Sequence, residues 1–558
     1  MKRKPAILLV TGFLCSLVSF GQQSGEQTAT YVVNGTFLGE RPSLAAQMAS
    51  GEFIHATDVN KEVNEKRRDA PKAIPGKGFP LNGDPLLSIQ NGANKMPAID
   101  PIITWEAASA NVTPTDPTGA VGPNHYINSW NSAFRIWNKD GDPLTFSASL
   151  ATIWAGQDAG DPIVFYDSFA DRFVITQFSF SNSFLVAVCT GSDPVNDGWY
   201  TYEFDVDVFP DYPKYSVWSD GYYVTANKNS NNAGNTEVVY ALEREAMING
   251  EAGAQMVGFP LPGITTSGFY SPLGFNANGT VPPAPGNAPI CYMQDDSWGG
   301  VSDDHLKIWH VNVNWTNPNS STISDPQILT TMDFDGLFDG GSFSNIPCPG
   351  NSDLDALQAT IMYMAQYYRF GSHNSCVLNW VVDLDGDDDY AGIRWMELRQ
   401  ASDGDDWTIY QEGTYAPESG QSAFCGAICI DQFGNIGLSY TSCNASNHPS
   451  IRFTGRYSTD PLGEMTVEEG IIAAGVQSPS FFRYGDYAQM TLDPVDGCTF
   501  WTIGEHFAGG TRKNTVGAFK LGSLLASDIG VMSINDPISG ALTATETITV
   551  TLRNYGLD

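Results

Sequence analysis

AVGPNHYINSW from Ala120, VFYDSFADRFVITQFSF from Val164, YSVWSDGYYVTANK from Tyr215, ICYMQDDSWGG from Ile290, TIMYMAQYYRF from Thr360, ICIDQFGNIGLSYTS from Ile428 and MTLDPVDGCTFWTIG from Met490 are variations on one strand-turn-strand unit. Their starts lie about 50 to 75 residues apart. Each is followed by further strand-like segments, among them SAFRIWN from Ser132, EVVYALE from Glu237, LKIWHVNVNW from Leu306 and VGAFKLG from Val516. Short runs of Val, Ile, Phe, Tyr and Trp alternate with Gly, Asp, Asn and Pro clusters, and helical periodicity is nearly absent. The fold class is therefore all-β. A β-propeller of seven four-stranded blades is the economical arrangement, because radial repetition hides sheet edges that an open array would expose. Ile102 to Glu106 stands ready to supply a ring-closing strand to the last blade. A pair of stacked β-sandwiches is the alternative, but it explains the repeat less well and such domains are usually shorter.

Outside residues 101–522 the text changes. Lys2, Arg3 and Lys4, an apolar run from Ala6 to Phe20 and small residues before Gln22 form a signal peptide over residues 1–21. That run is too short to span a bilayer, which takes about 20 apolar residues, and no later segment offers a transmembrane span. Gly12, Phe13 and Leu14 before Cys15 do not suit a lipidation site. Residues 22–100 are polar and Pro-rich, with KEVNEKRRDAPK from Lys61, and read as an extended arm or pro-region. The only helical pattern of note, LEREAMI from Leu242, reads as a loop insertion. Residues 523–558 alternate like the first strands of an immunoglobulin-like adhesion module and stop before such a module closes, which marks the sequence as part of a longer protein.

There are 62 Asp plus Glu against 28 Lys plus Arg, a net charge of −34, which excludes nucleic acid as a partner. This acidity fits solubility outside the cell as well as calcium binding. Eight cysteines follow the signal segment, an even count that permits disulfides in an exported protein. The hairpin through Asp431 to Asn435 would set Cys425 roughly opposite Cys443.

Three constellations carry chemistry. Asp116, Asp161, Asp211, Asp355 and Asp486 each precede a unit's hairpin turn. The innermost strand of a blade begins at one mouth of the axis, so these side chains are expected to converge there. A carboxylate ring suits calcium or sugar hydroxyls, while loop closure by bonds to backbone N–H groups is the plainer alternative. Asp383, Asp385, Asp387 and Asp389 alternate around Gly386 like the start of a calcium loop, but an EF-hand's twelfth position falls on Arg394, and a solvated hairpin loop fits as well. Arg394, Arg452 and Arg483, from three successive units, lie near Glu397, Tyr415 and Asp486. Three arginines can clamp a carboxylate and a Tyr beside a Glu can act as a glycosidic nucleophile, although arginines on successive blades also pair with the aspartates around them. Sequence signatures for an α/β-hydrolase elbow, a zincin, a phosphate loop or a dinucleotide site are absent.

DPTGAVGPNHY, DPIVFYDSFADRFVITQF, DYPKYSVWSDGYYVTAN, GIRWMELR, QEGTYAP, PSIRFTGRYSTDPLG and RYGDYAQMTLDPVDGCTFW resemble segments of large exported bacterial sialidase-like propeller proteins, a likeness over roughly residues 85–522. It implies a propeller and no defined activity. The tail is similar to adhesion-type modules that precede sorting domains in type IX secretion, which implies a released or cell-surface location. A sialidase repeats Ser-x-Asp-x-Gly-x-x-Trp, and the nearest match, QASDGDDW from Gln400, keeps Gly404 and Trp407 but displaces the Ser and Asp. The expectation is an extracellular or outer-surface propeller, stabilised by calcium, that binds a polysaccharide, another glycan or a different surface ligand. The alternative is a polysaccharide-active enzyme, a sialidase-like hydrolase or a lyase.

Overall fold

The computed structural model describes residues 25–57, 83–228, 233–266, 269–338, 343–350, 353–386, 389–521, 529–536, 545 and 547–554. The signal segment, the Lys61 to Lys72 run and Asp387 lie outside them. Within the ring, alternating and fully apolar runs form antiparallel strands because each blade is sandwiched between two others and both faces are buried.

Seven sheets follow in chain order. Blade one begins with Thr118–Val121, blade two with Gly160–Asp167 and blade three with Asp211–Val217. Blade four begins with Leu273–Asn278, blade five with Ala365–Arg369, blade six with Ser422–Ile430 and blade seven with Gln489–Leu492. These innermost strands touch one another in that order, and the last touches the first, so the ring is closed. Blades four and five are also joined by a parallel ladder, Phe275 to Ala365 through Asn278 to Tyr368. The fold is a seven-bladed β-propeller. In blade seven the outermost strand is Ile103–Ala110, paired antiparallel with Thr511–Phe519. Trp105 on that strand packs edge-on against Trp501 of blade seven and Tyr126 of blade one, which seals the seam.

One repeat unit was set in the wrong place. ICYMQDDSWGG is the second strand of blade four and its hairpin, not the first. The true inner strand, LGFNAN, carries Gly and two Asn and is followed by a Pro-rich loop, so its β signal is weak. LEREAMI contributes a short helix, Arg244–Ile248.

The N-terminal residues run around the outside of the ring. Glu26–Thr28 adds an edge strand to blade four, Tyr31–Asn34 to blade three and Thr36–Arg41 to blade two. His55 then bridges Ala148 of blade one. When the description resumes, Asp84 meets Arg394 of blade five, Met96 bridges Val467 of blade six, and the chain enters blade seven at Ile103. Edge strands left bare are liable to pair with other chains, and this belt covers three of them.

All eight cysteines after the signal segment are buried and in the thiol form. Cys443 stands opposite Ser422, because a bulge between Phe424 and Ala427 takes Cys425 out of register with it. Among the described residues, no helix is long and apolar enough to cross a membrane.

The belt is fastened by the Asp84–Arg394 pair. Arg394 is fully buried and donates to Asp84 Oδ2 at 2.9 Å, with further bonds to Thr414 Oγ1 and the carbonyls of Met332 and Asp333. Removing one partner of a buried ion pair strands the other charge, at about 3–5 kcal/mol. We expect Asp84→Ala to lose that much stability in urea unfolding and to expose the belt to limited proteolysis; an unchanged midpoint would show that the belt is not tied there.

Candidate functional site

Each innermost strand starts at the axis on the face we term upper; four of the five aspartates sit at or just before those starts, and Asp355 lies further upstream of Ala365–Arg369. Asp161 and Asp211 are the second and first residues of their strands, while Asp116 and Asp486 lie in the turns leading into theirs. Asp116, Asp161 and Asp486 adopt left-handed backbone, with φ of 51°, 46° and 65°. Asp tolerates that region better than most residues, because its short polar side chain bonds locally.

The structure brings this set together. Tyr487 OH lies 3.2 Å from both Asp161 Oδ2 and the Pro213 carbonyl, and Tyr212 OH donates to the Asp486 carbonyl at 2.5 Å. The two tyrosine rings pack with centroids 4.6 Å apart. Asp116 Oδ2 accepts from Asn131 Nδ2 at 2.8 Å, and its N–H donates to the Gly485 carbonyl. Arg483 forms an ion pair with Asp486, and its Nε lies 3.9 Å from Asp355 Oδ2. All five aspartates are buried, none above 8% exposed. The Tyr487 phenol is pushed well above its ordinary pKa, first by burial and then by the charges of Asp161, Tyr212, Asp116 and Asp211. Burial likewise raises the Cys425 thiol, reinforced by Asp355, Asp486 and Glu505. Five carboxylates, two phenols and one guanidinium thus share the upper mouth, a donor set of hard oxygens.

The remaining arginine group does not join them. Arg394, in blade five, is taken up by Asp84 of the belt. Glu397 is buried and accepts from Ser375, Arg399 and Gln411 within blade five. Tyr415 and Arg452 do meet, between blades five and six. Tyr415 OH lies 2.9 Å from Tyr440 OH, Tyr440 donates to Glu469 Oε2, and Arg452 Nη1 donates to Glu469 Oε1. Burial first, and then the Glu469 charge, raises the Tyr415 phenol, so it is held protonated, the reverse of what a nucleophile requires. Each arginine of the expected clamp has its own carboxylate, and the three share no partner.

In the blade-five loop the Asp383 N–H is bonded to the Asp335 carbonyl, and Asp383 Oδ1 accepts from the Asp385 N–H in a local turn. Asp389 closes the described part of that loop.

A second acidic group escaped sequence reasoning. Asp295, Asp296 and Asp304 flank the blade-four loop DDSWGGVSDD, and their carboxylate oxygens lie within 4.8 Å of one another. Asp295 accepts from the Ser297 and Gly336 N–H groups, and Asp304 from those of Asp296 and Phe334. The signal was available: acidic pairs at both ends of a Gly-Gly loop must face each other when a hairpin closes. A cavity of about 190 Å³ lies elsewhere, at the lower mouth, and holds none of the residues singled out from the sequence. Pocket size alone does not locate the chemistry, so the upper mouth, where ionisable groups converge, is the candidate site.

No protein-family model matches the chain, and no curated protein matches it. Several solved structures are distantly similar to the chain. A PL25 ulvan lyase bound to -[GlcA(1-4)Rha3S]- is 10% identical over 75% of this chain and 97% of its own, with a TM-score of 0.37. A protein of unknown function from Dyadobacter fermentans is 11% identical over 76% and 100%, with a TM-score of 0.31. An α-L-arabinanase from Penicillium chrysogenum is 9% identical over 64% and 93%, with a TM-score of 0.29. At such identities and scores they assign this chain no activity.

Asp304 gives the site region a pH signature. Burial, then the Asp295 charge, pushes its carboxyl up to about 8. The unfolded chain releases that proton near pH 4, so this group favours the folded state below about pH 4 and the contribution is lost as pH rises through about 8. In chelator, we expect the urea midpoint of Asp304→Asn to change less between about pH 5 and about pH 8 than that of the parent. Equal changes would contradict the assignment.

Proposed function

We propose that the chain is an extracellular or surface propeller that binds a glycan at its upper mouth, with calcium held among the mouth's carboxylates. The observation that carries this reading is the convergence of Asp116, Asp161, Asp211, Asp355 and Asp486 on the Tyr212–Tyr487 pair. Calcium takes six to eight oxygen ligands in adaptable geometry, and extracellular modules bind it at about 10⁻⁴–10⁻³ M. Carboxylates left over from a cation accept hydrogen bonds from sugar hydroxyls. Asp383, Asp385 and Asp389, with the Asp295 group, would supply further calcium sites on the same face. The alternative, a polysaccharide hydrolase or lyase, would draw on Arg483, Asp486 and Tyr487 at this mouth, because Arg394, Glu397, Tyr415 and Arg452 lie away from it.

Retention of the purified chain on immobilised acidic and neutral polysaccharides, with calcium and with chelator, tests the reading. We expect one polymer to retain it in calcium only, and Asp161→Asn or Asp211→Asn to weaken retention about tenfold, the loss of about 1.4 kcal/mol of contact. Product release from that polymer would transfer the site to the enzymatic alternative; retention by none, in either condition, would overturn the reading.

A further inference from the structure

The axis of the propeller is not an open channel. Gln489 of blade seven accepts from the Gly119 N–H of blade one and donates to the Val164 carbonyl of blade two, both at 2.9 Å. Gln366 of blade five donates to the Met490 carbonyl, and Lys214 of blade three to the Ile361 carbonyl. These side chains divide the two mouths. An inner strand such as Gly160–Asp167 runs from one to the other, about 23 Å at about 3.3 Å per residue. The lower mouth is thus a separate chemical environment.

Its cavity of about 190 Å³ gathers the ends of five inner strands, with Tyr166, Asn278, Tyr368 and Thr491 in its wall. That volume falls below the ~300–1,000 Å³ of sites for drug-sized ligands, and suits one small ring better than a chain. Tyr368 is half-buried, its ring pressed over Gly279, where a Cβ would come within 2.9 Å of it. A half-exposed phenol face beside amides is a surface on which an aliphatic ring can lie while its polar edge bonds outward. Thr491 Oγ1 accepts from the Val121 N–H at 3.3 Å, and its own hydrogen meets no acceptor among the described residues. Asn278 is partly exposed and donates through its Nδ2 to the side-chain Oε1 of Gln366.

The charges of the wall select the ligand further. No lysine or arginine lines the cavity among the described residues, and its two carboxylates are already held. Asp493 accepts from the Val495 N–H and Trp501 Nε1 and pairs with Lys139. Asp496 accepts from the Thr499 hydroxyl and the Cys498 and Thr499 N–H groups, beside Lys520. Each carboxylate is already matched by its own lysine, so an anionic sugar would find no cation left to pair with it. A neutral polyol meets hydroxyl, amide and phenol groups that pair with it in either direction.

We propose that the lower mouth is a second binding site that takes a single uncharged sugar ring, independent of the upper mouth. Saturation-transfer NMR on the full chain, with D-glucose, D-galactose, L-rhamnose, N-acetyl-D-glucosamine and D-glucuronate as probes, tests it. At least one neutral sugar is expected to receive saturation and D-glucuronate none. Thr280→Trp, a change at an exposed residue of the rim that leaves the core untouched, should abolish the signal by filling the cavity. Tyr368→Ala should weaken binding about tenfold through loss of the stacking face, and chelator, which removes the calcium on which retention at the upper mouth depends, should leave it unchanged. Saturation of no neutral sugar, equal saturation of D-glucuronate, or a signal lost in chelator and kept in Thr280→Trp would each overturn the proposal.

Discussion

The closed ring depends on the antiparallel pairing of Ile103–Ala110 with Thr511–Phe519, which makes the last blade out of both ends of the propeller sequence. A strand contributed from the far end converts seven neighbouring sheets into a circle, because parting the first blade from the last then costs the hydrogen bonds of that whole ladder. The Trp105, Trp501 and Tyr126 packing beside it adds apolar burial at the same seam. The belt that leads into this strand has already touched the other six blades, so the same segment covers edges and closes the circle.

Closure determines what the axis can hold. Seven inner strands leave a narrow core, and this protein fills it with Gln366, Gln489, Met364 and Lys214 bonded across it. Lys214 is fully buried and its ammonium pKa is lowered far below the ordinary value by that burial. With the centre plugged, the ends differ in chemistry: carboxylates and two packed phenols above, amides and hydroxyls around a small cavity below. Binding at one end need not disturb the other.

The blade repeat was legible because buried strands leave dense apolar runs between turn residues, and the aspartates were legible because every inner strand must begin at the axis. The belt strands EQT, YVVN and TFLGER were not, since each is short and largely exposed, with little apolar patterning. The fate of the arginines was hidden for another reason: the partner of Arg394 lies 310 residues away, and nothing in GIRWMELR announces it. Asp295, Asp296 and Asp304 were hidden in a similar way, because their facing depends on how a Gly-Gly loop folds back.

A crystal structure of the chain grown in calcium, with anomalous scattering from a lanthanide replacement, tests the central claim most directly. The account expects anomalous density at the upper mouth, coordinated by oxygens from among Asp116, Asp161, Asp211, Asp355 and Asp486. A well-ordered mouth without a bound ion, its aspartates engaged only by backbone N–H groups and Arg483, would contradict it and leave the carboxylates as loop closures.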